Sequence, residues 1–337
     1  MPVHTADGTN VMVHRLSVAP MMDWTDRHCR YFHRLLSRHA LLYTEMVTTG
    51  ALIHGDQPRH LDFNPEEHPV ALQLGGSEPN DLAKAAKLGV QWGYDEINLN
   101  CGCPSERVQR GAFGACLMAE PALVADGVKA MVDVVSVPVT VKHRIGIDRI
   151  ERYEFVRDFV GTVSLAGCQT FIVHARNAWL QGISPKENRE LPPLKPDWVI
   201  RLKNDFPHLS FVINGGIVSM AQIKAHLNEL DGVMVGREAY HNPWLLQQWD
   251  EALGHEARDL TRDEVEWQMV VYMQTQAKQG VPWYAIARHM LGLRHGQPGA
   301  RKWRQVWSNH QLKHLPAAEV AALATSALTD KSVTSLA

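Results

Sequence analysis

Short apolar segments of strand length, rich in branched residues, recur through the first two thirds of the chain. They are LSVAPM (16–21), LLYTEMV (41–47), VALQLGG (70–76), EINLNC (96–101), PVTVKHR (138–144), TFIVHAR (170–176), SFVINGG (210–216) and GVMVGRE (232–238). Segments with helical periodicity lie between them, for example 79–93 and 220–230. Nearly continuous apolar strands that alternate with helices indicate a parallel sheet with right-handed crossovers.

Eight β/α units within roughly 240 residues predict an α/β fold of the TIM (β/α)8 barrel type. A doubly wound open sheet alternates strands and helices in the same way. The closed barrel is favoured because nearly every predicted strand ends in polar residues, and barrel enzymes carry their active sites at those ends.

The strand pattern stops after Asn242-Pro243, and helical periodicity covers 262–279, 283–293, 300–308 and 317–328. We therefore predict a catalytic barrel in residues 1–243 and a C-terminal all-helical domain in residues 244–337. The segment GQPGARKWRQVW places a Pro-Gly break before a short helix. Arg301 and Arg304 are three residues apart on it, and Trp303 and Trp307 are four apart, so this helix carries both cations and tryptophans.

Composition narrows the class of protein. With 337 residues, 45% of them hydrophobic, the chain is long enough to bury a large core. The apolar runs have strand length and MPVHTADGTN lacks the pattern of a leader, so we predict a cytoplasmic protein without a membrane span or signal peptide. The five cysteines are unevenly spaced, which favours reduced thiols, and Cys101-x-Cys103 has the wrong spacing for a zinc site, so no metal is predicted.

The formal net charge of −2 argues against a uniformly basic nucleic-acid binder, but it hides an asymmetry. Residues 268–318 contain seven Lys or Arg and no Asp or Glu. An acid-free helical segment with arginine, lysine and tryptophan suits an RNA backbone and offers rings for base stacking. A solvated basic face without a partner is the alternative, and the charge pattern by itself leaves it open.

Two strand ends have the pattern of a phosphate site. Strand seven ends in Asn214-Gly215-Gly216, and strand eight ends in Gly236-Arg237. TIM barrels bind phosphate at this position through backbone amides that glycine leaves accessible, and an arginine adds a charge-assisted hydrogen bond. Glycines required only for tight turns are the alternative for either pair by itself, but the two pairs together favour phosphate binding.

Three further strand ends carry side chains that suit a ring or an anion. Lys142 on strand five needs an anionic or electron-rich partner, which is either a ligand or a carboxylate such as Glu45. His174 ends strand six, and Gln73 near the end of strand three offers a heterocycle one donor and one acceptor group. Together with the glycine pairs, these residues predict a site for a phosphorylated ring.

These residues lie in segments that resemble the flavin-dependent tRNA-dihydrouridine synthases, most of all their A subfamily. The resemblance covers nearly the whole chain and rests on APMMDWTDRHCRYF (19–32), TEMVTTGA (44–51), VALQLGG, EINLNCGCPSERVQRGAFGACLM (96–118), HARNAWLQGISPKENRE (174–190), NGGI, DGVMVGREAY, RHMLGL and PGARKWR. It implies an FMN in the barrel mouth, held by Ala19, Pro20, Met21, Gln73, Lys142, His174, Asn214, Gly215, Gly216, Gly236 and Arg237.

The implied activity accounts for the thiols and carboxamides at the end of strand four. Reduction of the C5=C6 bond of uracil needs a hydride at C6, which reduced flavin can give, and a proton at C5. A cysteine thiol with an ordinary pKa near 8.5 is largely protonated at pH 7 and can be that acid. The family's acid matches Cys103, in the loop over the mouth, whereas Cys101 closes the strand. Asn100, nearer the strand end than Asn98, is the candidate reader of the uracil edge through a bidentate pairing.

The resemblance implies that the substrate is uridine in the tRNA D-loop, at positions 20 and 20a, with NADPH as a transient reductant. No G-x-G-x-x-G fingerprint follows a strand, so no separate dinucleotide site is predicted. The resemblance assigns Lys186, Arg189, Arg301 and Arg304 to tRNA orientation, and no membrane or stable protein partner is implied. Two other functions stay open: a flavin oxidoreductase of free pyrimidines, and a tRNA-binding or tRNA-folding module without chemistry.

Overall fold

The computed structural model describes residues 3–4, 10–11, 14–150, 152–256 and 258–329. Most of the N-terminal segment on which the prediction of no signal peptide rests lies outside these residues. A two-stranded antiparallel hairpin pairs β1 (Val3–His4) with β2 (Asn10–Val11). No helix in the described part of the chain has both the length and the apolar character needed to cross a membrane.

A closed parallel barrel follows, in which each strand pairs with the next in sequence and the last pairs with the first. Its strands are β3 (Leu16–Val18), β4 (Leu41–Thr48), β5 (Val70–Gly75), β6 (Glu96–Cys101), β7 (Val139–Arg144), β8 (Thr170–His174), β9 (Ser210–Asn214) and β10 (Gly232–Val235). Every one of them overlaps a predicted segment, and β6 coincides with its segment. Eight parallel strands that close into a barrel and alternate with helices confirm the predicted TIM barrel.

Helices alternate with the barrel strands and continue after them. From the N-terminal side they are α1 (Arg27–Leu36), α2 (Thr49–His54), α3 (Gln57–Leu61), α4 (Pro79–Trp92), α5 (Glu106–Arg110), α6 (Pro121–Val132), α7 (Tyr153–Leu165), α8 (Pro196–Asp205), α9 (Met220–Leu227) and α10 (Arg237–His241). After the barrel come α11 (Leu245–Ala252), α12 (Arg262–Ala277), α13 (Trp283–Ala287), α14 (Ala300–Trp307) and α15 (Ala317–Thr329). Short 3-10 helices cover Pro65–Glu67, Gly114–Ala119, Glu187–Arg189 and His310–Leu312.

The ends of α4 show how the sequence sets a helix. Pro79 begins it, where the missing N–H costs nothing, and Gly93 ends it in the left-handed conformation with φ 97°. Gly89 is needed for packing, because a Cβ there would lie 2.6 Å from Ile97 Cδ1 and 2.7 Å from Leu72 Cδ2. The helix therefore lies directly against β5 and β6, the strands that lead to the site.

The described residues group into two compact units that do not divide the chain at a single point. The first comprises residues 1–27 and 39–236, and the second comprises 28–38 and 237–337. Most of α1 therefore belongs with the C-terminal helices: Tyr31 stacks on Tyr272 of α12 at 3.9 Å, and the Ser37 hydroxyl donates to Asp250 of α11 at 2.6 Å. Sequence periodicity contains no signal that residues 28–38 pack with the C-terminal helices.

The core of the helical unit contains a charged cluster. Glu266 on α12 is buried, and its Oε1 accepts hydrogen bonds from Trp303 Nε1 at 2.8 Å and Trp307 Nε1 at 2.9 Å. Its Oε2 accepts from Arg294 Nη2 at 2.7 Å, and Asp263 is a second partner of Arg294. Both tryptophans are buried, so the prediction that they offer rings for base stacking is wrong. Arg294 likewise belongs to the core rather than to the basic face.

The helix predicted over 283–293 is shorter than expected, because α13 ends at Ala287. The backbone beyond it tightens into turns, with His289 N donating to Ile286 O and Met290 N donating to Ala287 O. Gly292 then approaches the backbone closely, since a Cβ there would lie 2.6 Å from the His241 carbonyl oxygen. Residues 288–293 thus form turns that pack within this unit, instead of the continued helix that periodicity predicts.

Candidate active site at the strand ends

Five buried side chains form a continuous row of hydrogen bonds across the barrel interior, which we call the polar chain: Glu96, Thr140, Asn98, Gln73 and Asn100. Thr140 Oγ1 donates to Glu96 Oε1 at 2.5 Å and accepts from Asn98 Nδ2 at 2.8 Å. Asn98 Oδ1 accepts from Gln73 Nε2 at 2.8 Å, and Gln73 Oε1 accepts from Asn100 Nδ2 at 2.9 Å. The polar chain thus runs from the N-terminal end of β6 to the mouth of the barrel.

The loop that carries Cys103 is attached to the mouth end of the polar chain. Asn100 Oδ1 accepts from the backbone amides of Gly102 at 3.1 Å and Cys103 at 3.0 Å. The Cys103 carbonyl accepts from the amide of Ala115 at 2.9 Å, and its thiol lies 3.6 Å from Ser105 Oγ. Cys103 is partly exposed. The Cys103 loop is therefore held through its backbone, while the thiol stays partly accessible.

These bonds limit what Asn100 can offer a ligand. Its Oδ1 already accepts two backbone N–H groups, and one hydrogen of Nδ2 goes to Gln73. One N–H of the carboxamide remains. The bidentate contact with uracil predicted for Asn100 would require Oδ1 to leave the loop, so in this conformation the side chain offers a base one hydrogen bond.

Cys101 lies on the opposite side of β6 from Asn98 and Asn100, as the two-residue period of a strand requires. It is fully buried, and burial raises the pKa of its thiol well above the ordinary value, as do the neighbouring Cys168 and Cys116. All five cysteines are free thiols. Cys101 is therefore part of the barrel wall, and its thiol does not face the mouth.

Lys142 and His174 lie at the ends of β7 and β8. Burial and then the charge of Arg144 lower the pKa of Lys142 to about 7. Burial, followed by Arg144 and Lys142, holds the pKa of His174 well below 6.5, so its ring is neutral. Among the described residues, no carboxylate lies within ion-pairing distance of Lys142, and Glu45 instead accepts a hydrogen bond from the amide of Asp23. Of the two partners considered for Lys142, an anionic ligand is therefore favoured over Glu45.

A glycine cradle follows β9. Gly215 and Gly216 have φ of 113° and 69°, which disfavours residues with a side chain. A Cβ on Gly215 would lie 2.7 Å from His174 Cδ2, and one on Gly216 would lie 2.5 Å from Leu194 Cδ1. Asn214 Nδ2 donates to the Met234 carbonyl at 2.8 Å, which joins β9 to β10. Within the described residues, the amides of Gly215 and Gly216 donate to no protein acceptor, so they are available to a ligand.

The remaining predicted cofactor residues lie at the ends of β3 and β10. The amide of Ala19 donates to the Val235 carbonyl at 2.8 Å, and Pro20 and Met21 follow it in a half-buried loop. The Met21 loop is fixed by Thr25, whose Oγ1 accepts from the Met21 amide at 2.9 Å. Gly236 leaves space, since a Cβ there would meet only Ala19 Cβ at 3.9 Å, and Arg237 is the first residue of α10.

Arg144 joins the Cys103 loop to the loop after β8, a role that sequence reasoning missed. Its Nε donates to the Gly102 carbonyl at 3.1 Å, and its Nη1 donates to the carbonyls of Asn177 at 3.2 Å and Asn188 at 2.9 Å. The Asn188 side chain binds both the amide and the carbonyl of Trp179, each at 2.8 Å. One buried guanidinium therefore supports two loops of the barrel rim.

The four cations predicted to orient tRNA are all exposed. Lys186 and Arg189 flank the buried Asn188 on the loop after β8, in the barrel unit. Arg301 and Arg304 lie on α14 in the helical unit and are exposed, whereas Trp303 and Trp307 of the same helix are buried. Each pair therefore displays its charge at the surface of its own unit.

Glu96 and Thr140 are part of the site that the sequence reasoning did not single out. The signal was present for Glu96, because Glu96, Asn98 and Asn100 follow at a period of two and must share one side of β6. Thr140 is paired with Asn98 in the register of β6 and β7, which only the sheet topology reveals.

The fold and the site together define a class: a TIM-barrel enzyme whose mouth combines the glycine cradle after β9 with a loop-borne thiol. Residues 17–328 match the family model described as dihydrouridine synthase (Dus). The chain belongs to the dihydrouridine synthase family, and the family predicted from the sequence is confirmed.

Curated relatives cover most of the chain. Proteins named tRNA-dihydrouridine(20/20a) synthase are 61% identical over 293 residues in Vibrio parahaemolyticus, covering 86% of this chain and 90% of the relative. In Escherichia coli K12 the identity is 61% over 301 residues, covering 89% and 87%. In Shewanella oneidensis it is 57% over 309 residues, covering 91% and 92%. The resemblance to the A subfamily agrees with these names.

A solved structure supports the fold alone. The complex of 2-naphthoyl-CoA reductase with 2-naphthoyl-CoA matches 70% of this chain and 50% of its own chain, with a TM-score of 0.52 and 12% sequence identity.

Proposed function

We propose that the protein reduces the C5=C6 bond of uridine to 5,6-dihydrouridine in the D-loop of tRNA, at positions 20 and 20a. FMN is the proposed bound cofactor, and NADPH is the proposed source of electrons. The observation that carries the proposal is the Cys103 loop, which holds a partly exposed thiol at the barrel mouth through two hydrogen bonds to Asn100. The names of the curated relatives support the same substrate and positions.

The residues at the mouth fit FMN by their chemistry. The two glycine amides without a protein acceptor, Lys142 without a carboxylate partner and Arg237 suit the phosphate and other electron-rich groups. The neutral ring of His174 and the buried carboxamide of Gln73 suit a heterocycle. The backbone at Ala19, Pro20 and Met21, with Asn214, Gly215, Gly216 and Gly236, would complete the site. FMN, when bound, would supply the hydride for C6 of uracil.

Cys103 is the proposed general acid. Addition of hydride at C6 leaves negative charge at C5 and O4, so a proton must reach C5. The thiol of Cys103 gives this proton and is restored from solvent, which its partial exposure permits. General acid catalysis typically contributes about 10²- to 10⁴-fold in rate.

Lys186, Arg189, Arg301 and Arg304 are the proposed tRNA contacts, and Asn100 is the proposed contact to the uracil edge. All four cations are exposed, as phosphate binding requires. The target uridine must leave its stack to enter the barrel, which costs a few kcal/mol. Contacts to the phosphate backbone supply this free energy, so tRNA binding should weaken with salt. A cytoplasmic location stays a prediction.

The test is position-resolved mass spectrometry of an unmodified tRNA transcript after incubation with the protein, FMN and NADPH. We expect a gain of two hydrogens at positions 20 and 20a. The variant Cys103→Ala should bind tRNA and form little dihydrouridine, and Cys116→Ala is its matched control, because Cys116 is also a partly exposed thiol. Reduction of free uridine but not of tRNA would refute the proposed substrate.

A further inference from the structure

Every hydrogen bond of the polar chain runs in the same direction. At its inner end, three donors converge on the carboxylate of Glu96: the Tyr43 hydroxyl at 2.7 Å, the Thr140 hydroxyl at 2.5 Å and the ring of His14. An ionised carboxylate accepts only, and a hydroxyl has a single hydrogen. Once that hydrogen of Thr140 points at Glu96, its oxygen can only accept from Asn98.

The orientation of the Thr140 hydroxyl fixes the orientation of each carboxamide that follows, up to the barrel mouth. Asn98 uses Nδ2 toward Thr140, so Oδ1 faces Gln73; Gln73 then uses Nε2 toward Asn98, so Oε1 faces Asn100. Asn100 must answer with Nδ2, which leaves Oδ1 for the amides of Gly102 and Cys103. Reversal of any one carboxamide would place two donors or two acceptors against each other in a buried site, which costs about 1–3 kcal/mol per unmet group.

We propose that Glu96, Thr140 and Asn98 are positioning residues for the acid-bearing loop: they fix the orientation of the Gln73 and Asn100 carboxamides and thereby the position of Cys103. The inference rests on the proposed function for its catalytic consequence, but its structural consequence is independent of it. None of the three residues needs to touch uridine or the cofactor, because each acts through its neighbour in the polar chain.

Thr140 is the link at which this proposal is tested most cleanly. Valine has nearly the same shape as threonine without the hydroxyl, so Thr140→Val leaves Asn98 Nδ2 with no acceptor at an almost unchanged volume. Thr140→Ser restores the hydroxyl. Thr170→Val is the matched control, because Thr170 is a buried threonine of the neighbouring strand β8 outside the polar chain.

The first readout is the rate at which iodoacetamide alkylates Cys103, followed by mass spectrometry of the peptide that carries it. We expect Thr140→Val to raise this rate several-fold, because the loop loses its fixed attachment to Asn100. Thr140→Ser and Thr170→Val should alkylate at the rate of the unaltered protein. Asn98→Leu breaks the next link and should act in the same direction, which keeps the test available if Thr140→Val folds poorly.

The second readout is steady-state kinetics on tRNA. Misplacement of a catalytic group by about 1 Å can cost on the order of 10²-fold in rate. We expect Thr140→Val to lower kcat about tenfold or more while KM for tRNA stays unchanged, because the proposed phosphate contacts lie elsewhere. Thr140→Ser should recover kcat.

The outcomes separate this inference from the proposed function. Unchanged alkylation and kcat in Thr140→Val and Asn98→Leu would overturn the positioning role. So would equal losses in Thr140→Ser or Thr170→Val, which would point to packing rather than to the hydroxyl. If the unaltered protein makes no dihydrouridine, the proposed function fails, whereas the alkylation rates still decide whether the polar chain holds the loop.

Discussion

Each unit of the molecule contains a buried glutamate that accepts three side-chain hydrogen bonds, and the two differ in what their donors do. In the barrel, Glu96 accepts from Tyr43, Thr140 and His14. Thr140 can pass the orientation on, because a hydroxyl donates and accepts. In the helical unit, Glu266 accepts from Trp303, Trp307 and Arg294, whose nitrogens only donate, so the network ends there.

The difference shows how one residue type serves two purposes. A carboxylate surrounded by pure donors is an anchor: Glu266 ties α12 to α14 and to the segment around Arg294. A carboxylate followed by groups that both accept and donate becomes the start of a directed chain, and the polar chain ends at a loop with proposed catalytic chemistry. Both glutamates are buried, so the chemistry of the donors, rather than burial, distinguishes their roles.

The same substitution at both sites should lower stability by very different amounts, and the loss at Glu266 is the largest change in stability that we predict. In Glu266→Gln, the new amide nitrogen faces Arg294, which cannot lose its proton. Breaking a buried ion pair typically costs 3–5 kcal/mol, and we expect about 3 kcal/mol because Asp263 remains as a partner of Arg294. The measurement is the free energy of unfolding from urea titration.

In Glu96→Gln, the amide oxygen still accepts from Tyr43 and Thr140, and the amide nitrogen faces His14, which can become neutral and accept. We expect a loss of about 1 kcal/mol or less, the size of one net hydrogen bond. Equal losses at the two sites would contradict the distinction between anchor and chain.

On α14, the buried tryptophans hold the helical unit together, and the exposed arginines are the proposed contacts to tRNA. Arg301→Ala with Arg304→Ala removes two exposed cations and leaves the buried tryptophans in place. If each arginine contacts a phosphate, affinity for tRNA should fall about tenfold or more. The slope of log affinity against log salt should become shallower by about 0.7 to 0.9 per lost contact. Filter binding across a salt series measures both quantities.

Arg157→Ala is the matched control for this pair, since Arg157 is an exposed arginine of α7 on the barrel, bound to Asp158. Its affinity and salt slope should equal those of the unaltered protein. The idea fails if the double variant keeps its salt slope, or if it loses stability as Glu266→Gln does.

The pH dependence of stability gives a smaller effect that is specific to the barrel glutamate. Burial lowers the pKa of His14, but the charge of Glu96 and the hydrogen bond to it raise it above 6.5 overall. The folded state therefore binds the proton of the His14 ring more tightly than the unfolded state does. The stability that protonated His14 contributes is fully present below the unfolded pKa of about 6.5. It is lost as pH rises through the higher pKa of the folded state.

We therefore expect the stability difference between the unaltered protein and Glu96→Gln to shrink as pH rises from about 5.5 to about 8.5. Urea titrations at several pH values in this range measure it. If the stability difference stays constant over this pH range, Glu96 does not raise the pKa of His14. Thr170→Val, outside this pair, should show no such trend relative to the unaltered protein.

The fold could be predicted from the sequence because its signals are local. Each barrel strand is an apolar run that the period of a strand identifies, and the strand ends point to the mouth. The buried state of Trp303 and Trp307 could not be foreseen, since their acceptor Glu266 lies on another helix, outside the acid-free window. The exchange of α1 between units depends on packing with α11 and α12, which periodicity does not encode.

Some residues of the candidate site could likewise be selected from the sequence, and others could be found only from the structure. Residues at strand ends, such as Lys142 and His174, could be selected from the sequence, because position in a barrel fixes which end carries chemistry. The links between strands could not, since Thr140 acquires its role only from the register that pairs it with Asn98. The part of a carboxamide left for a ligand, as at Asn100, likewise follows from three-dimensional hydrogen bonding.

The smallest predicted change in activity is that of Cys101→Ala. Cys101→Ala removes a fully buried thiol from the barrel wall and should cost about 1 kcal/mol of unfolding free energy, as a small core deletion does. Dihydrouridine formation should be unchanged, because the Cys101 thiol faces away from the mouth and burial raises its pKa. By contrast, Cys103→Ala should lose about 10²- to 10⁴-fold in kcat.

The double variant sharpens this contrast. If Cys101 takes no part in the chemistry, the kcat of Cys101→Ala with Cys103→Ala should equal that of Cys103→Ala. A further drop in the double variant would mean that Cys101 donates a proton when Cys103 is absent. That result would require the end of β6 to rearrange so that a wall residue reaches the mouth. The polar chain opposes this movement, because Asn100, next to Cys101, is bound on both sides.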